Sequence, residues 1–239
     1  MPSNDEVIIS MRRMDKILGF DPMTGIVSTE AGAILSNLQD YTAQYGYDMC
    51  YNLGSRGSCM VGGNLSTNVG GIKLMRNNSL HANCIGMKAV LADGTVLNNM
   101  HLPRKDNTGY HLKHLFIGAE GTLGIITECS LLCYPTEQNK SLAMLACSSM
   151  EKVLSILKTS KLSLGRNLSA FEFMDQATCD IVKQQFPEKA KFPFSKSHPF
   201  QLLVEVTMDG STDADERMYS LLETLEADIV DGVVAQDQT

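Results

Sequence analysis

The sequence predicts an α+β protein in two parts, and three observations carry that reading. Between Asn52 and Gly71, six glycines (Gly54, Gly57, Gly62, Gly63, Gly70 and Gly71) stand among small hydroxyl and amide residues. Such a composition buries little apolar area, but it lets the backbone adopt positive φ and approach a ligand closely. Short β-branched runs and turn dipeptides surround that stretch as far as about Tyr134. Beyond Pro135 to Asn139, which is polar and broken, the rhythm becomes strand, helix, strand, helix, strand, helix, the alternation of a layer with helices on one face of a sheet.

In chain order, Glu6 to Met11 and Ile26 to Ala31 are β-branched runs that predict a strand pair, with Asp21-Pro-Met-Thr-Gly25 as a turn between strands. Apolar residues Ile34, Leu35, Leu38, Tyr41 and Tyr45 recur at three- and four-residue intervals, which predicts an amphipathic helix ended by Gly46. Ile85 to Leu91 and Val96-Leu97 predict a hairpin around Asp93-Gly94. Asn107 to Ile117 predicts a short helix with Leu112, Leu115 and Phe116 toward a core, followed by a second glycine-rich turn at Gly118 to Thr127 that feeds a strand reaching Cys133. The second part predicts strands at 142–146, 169–174 and 202–207 and helices at 150–159, 175–185 and 213–227. The expected domains are therefore 1–134 and 140–239.

Charge narrows the function classes. The formal net charge of -7 over 239 residues argues against general nucleic-acid binding, which needs a surplus of Lys and Arg. The excess is local: Val204 to Thr239 holds ten acidic residues against Arg217 alone, while Met49 to Ala92 holds none and carries Arg56, Lys73, Arg76 and Lys88. That second region is a wall suited to anions, phosphate above all. No apolar run approaches the roughly 20 residues that span a bilayer, and no targeting segment is visible. Seven cysteines without a C-x-x-C pair predict buried small hydrophobes in a reducing compartment.

The glycine-rich stretches admit three readings. Neither provides G-x-G-x-x-G between a strand and a helix, so a doubly wound dinucleotide site is the weakest. Glycine pairs also serve as plain turns of a β-rich domain. The third reading comes from motifs in order: Gly57-Ser-Cys-Met-Val-Gly-Gly-Asn-Leu-Ser-Thr-Asn-Val-Gly-Gly71, Leu91-Ala-Asp-Gly-Thr-Val-Leu97, Arg104-Lys-Asp-Asn-Thr-Gly-Tyr110 and Gly118-Ala-Glu-Gly-Thr-Leu-Gly-Ile-Ile-Thr127. These resemble the flavin-binding half of the FAD-linked 2-hydroxyacid dehydrogenases, with the vanillyl-alcohol oxidase-type fold. Ser169-Ala-Phe-Glu-Phe-Met-Asp175 resembles the start of that family's substrate domain.

The resemblance implies an FAD-binding (PCMH-type) domain followed by part of a ferredoxin-like substrate domain. It implies flavin contacts from Asn52, Gly54, Ser58, Gly62, Gly63, Thr67 and Asn68, and from Glu120, Gly121, Gly124, Ile125 and Ile126. A pyrophosphate with ribityl and ribose hydroxyls is well met by many backbone N–H groups. The implied reaction is oxidation of a D-2-hydroxyacid, D-2-hydroxyglutarate to 2-oxoglutarate first, with D-lactate and glycolate as alternatives. Electrons would leave to an acceptor such as electron-transfer flavoprotein, in mitochondria. The family's first flavin subdomain would precede Asp5, and its catalytic histidine, metal-binding histidines and substrate arginine would follow Asp237, so the resemblance implies a chain cut short at both ends. Relatives read Arg-Tyr-Gly where this chain has Arg76-Asn77-Asn78. Two rivals stay open: a catalytically inactive remnant, and a relative of alkyl-glycerone-phosphate synthase using the same fold for a non-redox exchange.

Other candidates are weaker. His111 and His114 share a helix face with no third ligand in the nearby sequence, which favours a solvated face over a metal site. Asp213, Asp215 and Glu216 form an acidic helix start. Cys59 lies inside the first glycine-rich stretch and reads as a packing residue, and Glu172 stands on a strand between Phe171 and Phe173. No catalytic base can be assigned.

Overall fold

The structure is a computed structural model that describes residues 7–100, 103–188, 190–209 and 212–235. It is α+β, and the chain divides into two compact units. One comprises the chain through Gly71 with Asn77–Thr136; the other comprises Ile72–Arg76 and the chain from Glu137 onward.

The first unit contains β1 (Ile17–Asp21), β2 (Ile26–Glu30), α1 (Leu35–Ala43), β3 (Tyr47–Met49) and α2 (Val61–Ser66). Helix α3 (Leu74–Asn77) follows in the chain but belongs, through Leu74 to Arg76, to the other unit; the first unit resumes with α4 (Leu80–Asn83), β4 (Cys84–Val90), β5 (Val96–Asn99), α5 (Lys113–Phe116) and β6 (Ile125–Pro135). The sheet runs β1-β2-β6-β4-β5, with β3 paired to the far end of β6, and every pairing is antiparallel. Strand β6 is central: Cys129 to Cys133 are buried without a break, the polar Ser130 among them. Leu35 and Leu38 of α1 and Leu65 of α2 are fully buried on this core, each stabilising by about 1.5–3 kcal/mol.

Two expectations fail here for physical reasons. Residues 7–11 of the strand expected at Glu6 to Met11 form no strand, and Glu6 lies outside the described residues. The partner of β2 is instead β1, with Asp21 accepting from Met23 N–H (2.9 Å) and Thr24 Oγ1 (2.7 Å) to close the turn. The helix expected over 107–117 shrinks to α5, whose Phe116 is buried while Leu112 and Leu115 stay exposed.

The second unit is built from β7 (Lys140–Cys147), α6 (Met150–Leu164), β8 (Leu168–Asp175), α7 (Gln176–Gln185), β9 (Phe200–Thr207), α8 (Ala214–Leu225) and β10 (Asp231–Val234). Its antiparallel sheet runs β10-β7-β9-β8. Counted within the unit, that is fourth, first, third, second, the ferredoxin-like order, with α7 added between the second and third strands. Each long helix starts on a side-chain cap: Ser149 accepts from Lys152 N–H, Asp175 from Thr178 N–H and Asp213 from Asp215 N–H. These caps explain why this half was readable from sequence, and they give the acidic start at Asp213 its capping role.

Among the described residues no helix is long and apolar enough to cross a membrane. All seven cysteines are free, and six of them are buried. Burial pushes the thiols of Cys50 and Cys129 well above their usual range, and those of Cys84 and Cys133 up to about 12.

Candidate functional site

Within the first unit, three segments of the chain close around one cavity of about 480 Å³. Ile8 to Arg12 form one wall, Met60, Gly62, Gly63 and Ser66 a second, and Gly121, Gly124, Ile125 and Ile126 a third, with Ala31 between them. The two glycine-rich stretches adjoin, since Gly118 N–H donates to Leu65 O (3.0 Å) and Glu120 N–H to Ser66 O (2.9 Å).

Each wall has a local cause. Residues 61–66 form the short helix α2, although two of them are glycines; Ser66 Oγ donates back to Gly62 O (2.9 Å) and Thr67 Oγ1 to Gly63 O (3.1 Å), while Val61 and Leu65 are buried. Gly62 is required by packing, because a Cβ there would stand 2.7 Å from that of Ala31. Gly124 is required likewise, 2.6 Å from Val90 O. Gly63 and Gly121 differ: a Cβ at either meets nothing within 4 Å, so both leave open space beside the cavity. Asn68 (φ 46°) and Glu120 (φ 50°) hold left-handed backbone that costs a non-glycine residue about 1–2 kcal/mol. Two such residues beside one cleft are the kind of stored strain that accompanies function. Asn68 Oδ1 is also buried without a partner.

Of the twelve sequence-predicted residues, Gly62, Gly63, Gly121, Gly124, Ile125 and Ile126 line the cavity. Thr67, Asn68 and Glu120 stand in the turns that join the two ribbons. Asn52, Gly54 and Ser58 lie outside the wall: Asn52 Oδ1 accepts from Gln39 Nε2 (3.1 Å), and Ser58 Oγ donates to Ser55 O (3.3 Å). The wall at Ile8 to Arg12 was missed by sequence reasoning. The signal for it was Gly32, over which this segment folds; Gly32 N–H donates to Met14 O (2.7 Å) and Met14 N–H to Met11 O (2.9 Å). Among the described residues Arg12 is the sole charged residue of the wall and no carboxylate lines it, and Ile8 and Ile9 are 70% and 65% exposed.

A third imidazole, distant in the sequence, stands near His111 and His114. His81, from α4, has its ring 4.3 Å from that of His114, which lies 5.4 Å from His111. No group of three ligands among the described residues is arranged to hold a metal ion. Burial first, then His81, Lys113 and His111, hold the pKa of His114 below its usual 6.5. The unfolded chain therefore takes up this proton at a higher pH than the native one does, so stability is intact above pH 6.5 and falls as pH drops below it. Urea midpoints measured at pH 7.5 and 5.5 should fall more for the wild type than for His114→Gln.

Residues 1–99 match the family of the FAD binding domain, and residues 136–239 match the FAD linked oxidases, C-terminal domain. The mitochondrial D-2-hydroxyglutarate dehydrogenase of Arabidopsis thaliana is 44% identical over 99% of this chain and 43% of its own length. That of Danio rerio is 39% identical over 100% of this chain and 45% of its own. The chain thus spans less than half the length of these relatives. Among solved structures, an alkyldihydroxyacetonephosphate synthase superposes with a TM-score of 0.71 over 95% of this chain and 43% of that one, at 19% identity, a likeness of fold.

Proposed function

We propose that this chain, which belongs to the FAD-linked oxidases through both of its domains, forms the flavin-gripping part and the start of the substrate domain of an FAD-dependent D-2-hydroxyacid dehydrogenase. Its substrate is D-2-hydroxyglutarate, oxidised to 2-oxoglutarate; the relatives' names support that choice and a mitochondrial location. Electrons pass on to a second acceptor, electron-transfer flavoprotein being the chemical type.

The observation that carries the reading is the meeting of Met60 to Ser66 with Gly121 to Ile126 around one cavity. The residues present fit FAD. Its volume falls in the range of about 300–1,000 Å³ usual for cofactor sites. Gly63 and Gly121 let a ligand approach the backbone, Arg12 offers a positive charge with no carboxylate to oppose an anionic diphosphate, and Ile8 and Ile9 offer exposed apolar surface to a flat ring system. FAD supplies the hydride-accepting chemistry when bound. This chain's own residues would bind and orient it: the backbone of α2 and of Gly121 to Ile126 would approach it closely, Arg12 would meet its diphosphate, and Ile8 and Ile9 would offer apolar contact to its ring system.

Flavin titration of the purified chain, followed by absorbance and fluorescence quenching, tests the site. Gly63→Val should weaken FAD binding tenfold or more with an unchanged melting midpoint, because its side chain enters open space and valine does not lower helix propensity relative to glycine. Equal retention by wild type and variant would remove the cavity from the account. In the full-length enzyme of which this reading makes the chain a part, bleaching of bound flavin by D-2-hydroxyglutarate under anaerobic conditions separates the dehydrogenase from a non-redox synthase.

A further inference from the structure

A second cavity of about 290 Å³ opens in the first unit on the other side of Phe116, and at its floor is a lysine. Lys113 is only 8% exposed, and among the described residues no hydrogen bond or ion pair engages its ammonium. Among the described residues no carboxylate lines this cavity. A cation that no carboxylate among the described residues neutralises, at the wall of a cavity, is a ready partner for an anionic ligand.

The neighbours supply no counter-charge. Cys84, whose thiol the Lys113 charge pulls downward, is nonetheless pushed up to about 12 by burial and stays neutral. His81, His111 and His114 beside it are neutral or cationic, never anionic. What the cavity does offer is an apolar wall of Met87, Leu97 and Phe116 and a polar mouth of Asn99, Thr108 and Tyr110. One cation, three neutral hydrogen-bonding groups and a carbon-lined wall match a monoanionic head on a short aliphatic stem better than a dianionic phosphate, which calls for more positive charge. The volume admits a ligand of a few carbons.

We propose that the cavity over Lys113 is a binding site for a small organic carboxylate, distinct from the flavin cavity. Phe116 separates the two, since its Cε1 stands 3.1 Å from where a Cβ on Gly124 would be, and Gly124 lines the flavin side. The site depends on neither flavin occupancy nor turnover.

Melting of the purified chain, followed by circular dichroism at pH 7.5 with propionate, succinate or inorganic phosphate against chloride at matched ionic strength, provides the test. The carboxylates should raise the wild-type midpoint saturably and phosphate should not. Lys113→Met should bind carboxylate at least tenfold more weakly than wild type. Asn99→Ala, at the mouth, should keep the ligand-free midpoint and weaken the carboxylate response, which covers the case in which the lysine variant does not fold. A flat wild-type titration, an equal response in wild type and Lys113→Met, or stabilisation by phosphate as large as by carboxylate would each overturn the assignment.

Discussion

Gly32→Ala should lose FAD binding and a large share of the stability of the first unit, although Gly32 touches neither cavity. A Cβ at this position would stand 1.9 Å from Met11 O, 2.7 Å from Met14 O and 2.8 Å from Met11 C, all of them backbone atoms with no rotamer to yield. Relief requires lifting residues 11–14 by an ångström or more. That breaks the 2.7 Å hydrogen bond from Gly32 N–H to Met14 O and loosens the bonds from Glu30 N–H and Thr29 Oγ1 to Lys16 O. The overpacking should cost about 2–3 kcal/mol. Because Ile8 to Arg12 are carried on that segment, the wall of the proposed flavin cavity moves with it, and FAD affinity should fall tenfold or more. Gly57→Ala is the control: a Cβ there meets nothing within 4 Å, so its urea midpoint and flavin affinity should match wild type. A Gly32→Ala protein that melts and binds like wild type would show that the segment can move freely.

In the second unit the largest loss should come from Arg76→Ala. The side chain is 7% exposed, and its guanidinium donates to Glu137 through Nε, to Asp209 Oδ1 (2.8 Å) and to Arg166 O (2.6 Å). Asp209 is largely exposed, and its pairing contributes little. Glu137 is the partner that matters, because alanine leaves its carboxylate mostly buried with only Lys73 at 3.7 Å. Removing one member of a buried pair should cost about 3 kcal/mol, the low end of the usual range because that lysine remains. Arg76→Lys keeps the charge but cannot serve three acceptors from one fork, so it should recover less than half of the loss. Hydrogen exchange should rise across β7, β8 and β9 and stay unchanged across β2, β4 and β6. Uniform exchange through both units, or none, would contradict the clamp.

The legible and illegible parts of this sequence differ in where their folding energy comes from. Helices α6 and α8 carry apolar residues at helical spacing behind a capping Ser149 or Asp213, so the local sequence suffices to call them. The hairpin at Asp93-Gly94 is equally local, with Gly94 at φ 86°. Helix α2 is the opposite case, since Gly62 and Gly63 deny it intrinsic propensity and it survives through the burial of Val61 and Leu65. Strand β1 contains Gly19 and exists through its pairing with β2, whereas the more strand-like Val7-Ile-Ile9 belongs to a cavity wall. At the site, composition exposed the two glycine-rich ribbons. It could not expose Arg12 or Lys113, whose roles come from contacts across long sequence separations.

The six sunken cysteines, with thiols held far from ionisation, are out of reach of alkylating reagents as long as the chain stays folded. Cys50, Cys84, Cys129 and Cys133 are distributed through one unit, and Cys147 and Cys179 through the other. Maleimide uptake resolved by peptide mass therefore times the breathing of each half separately, and the chain carries its own unfolding reporter without an added dye.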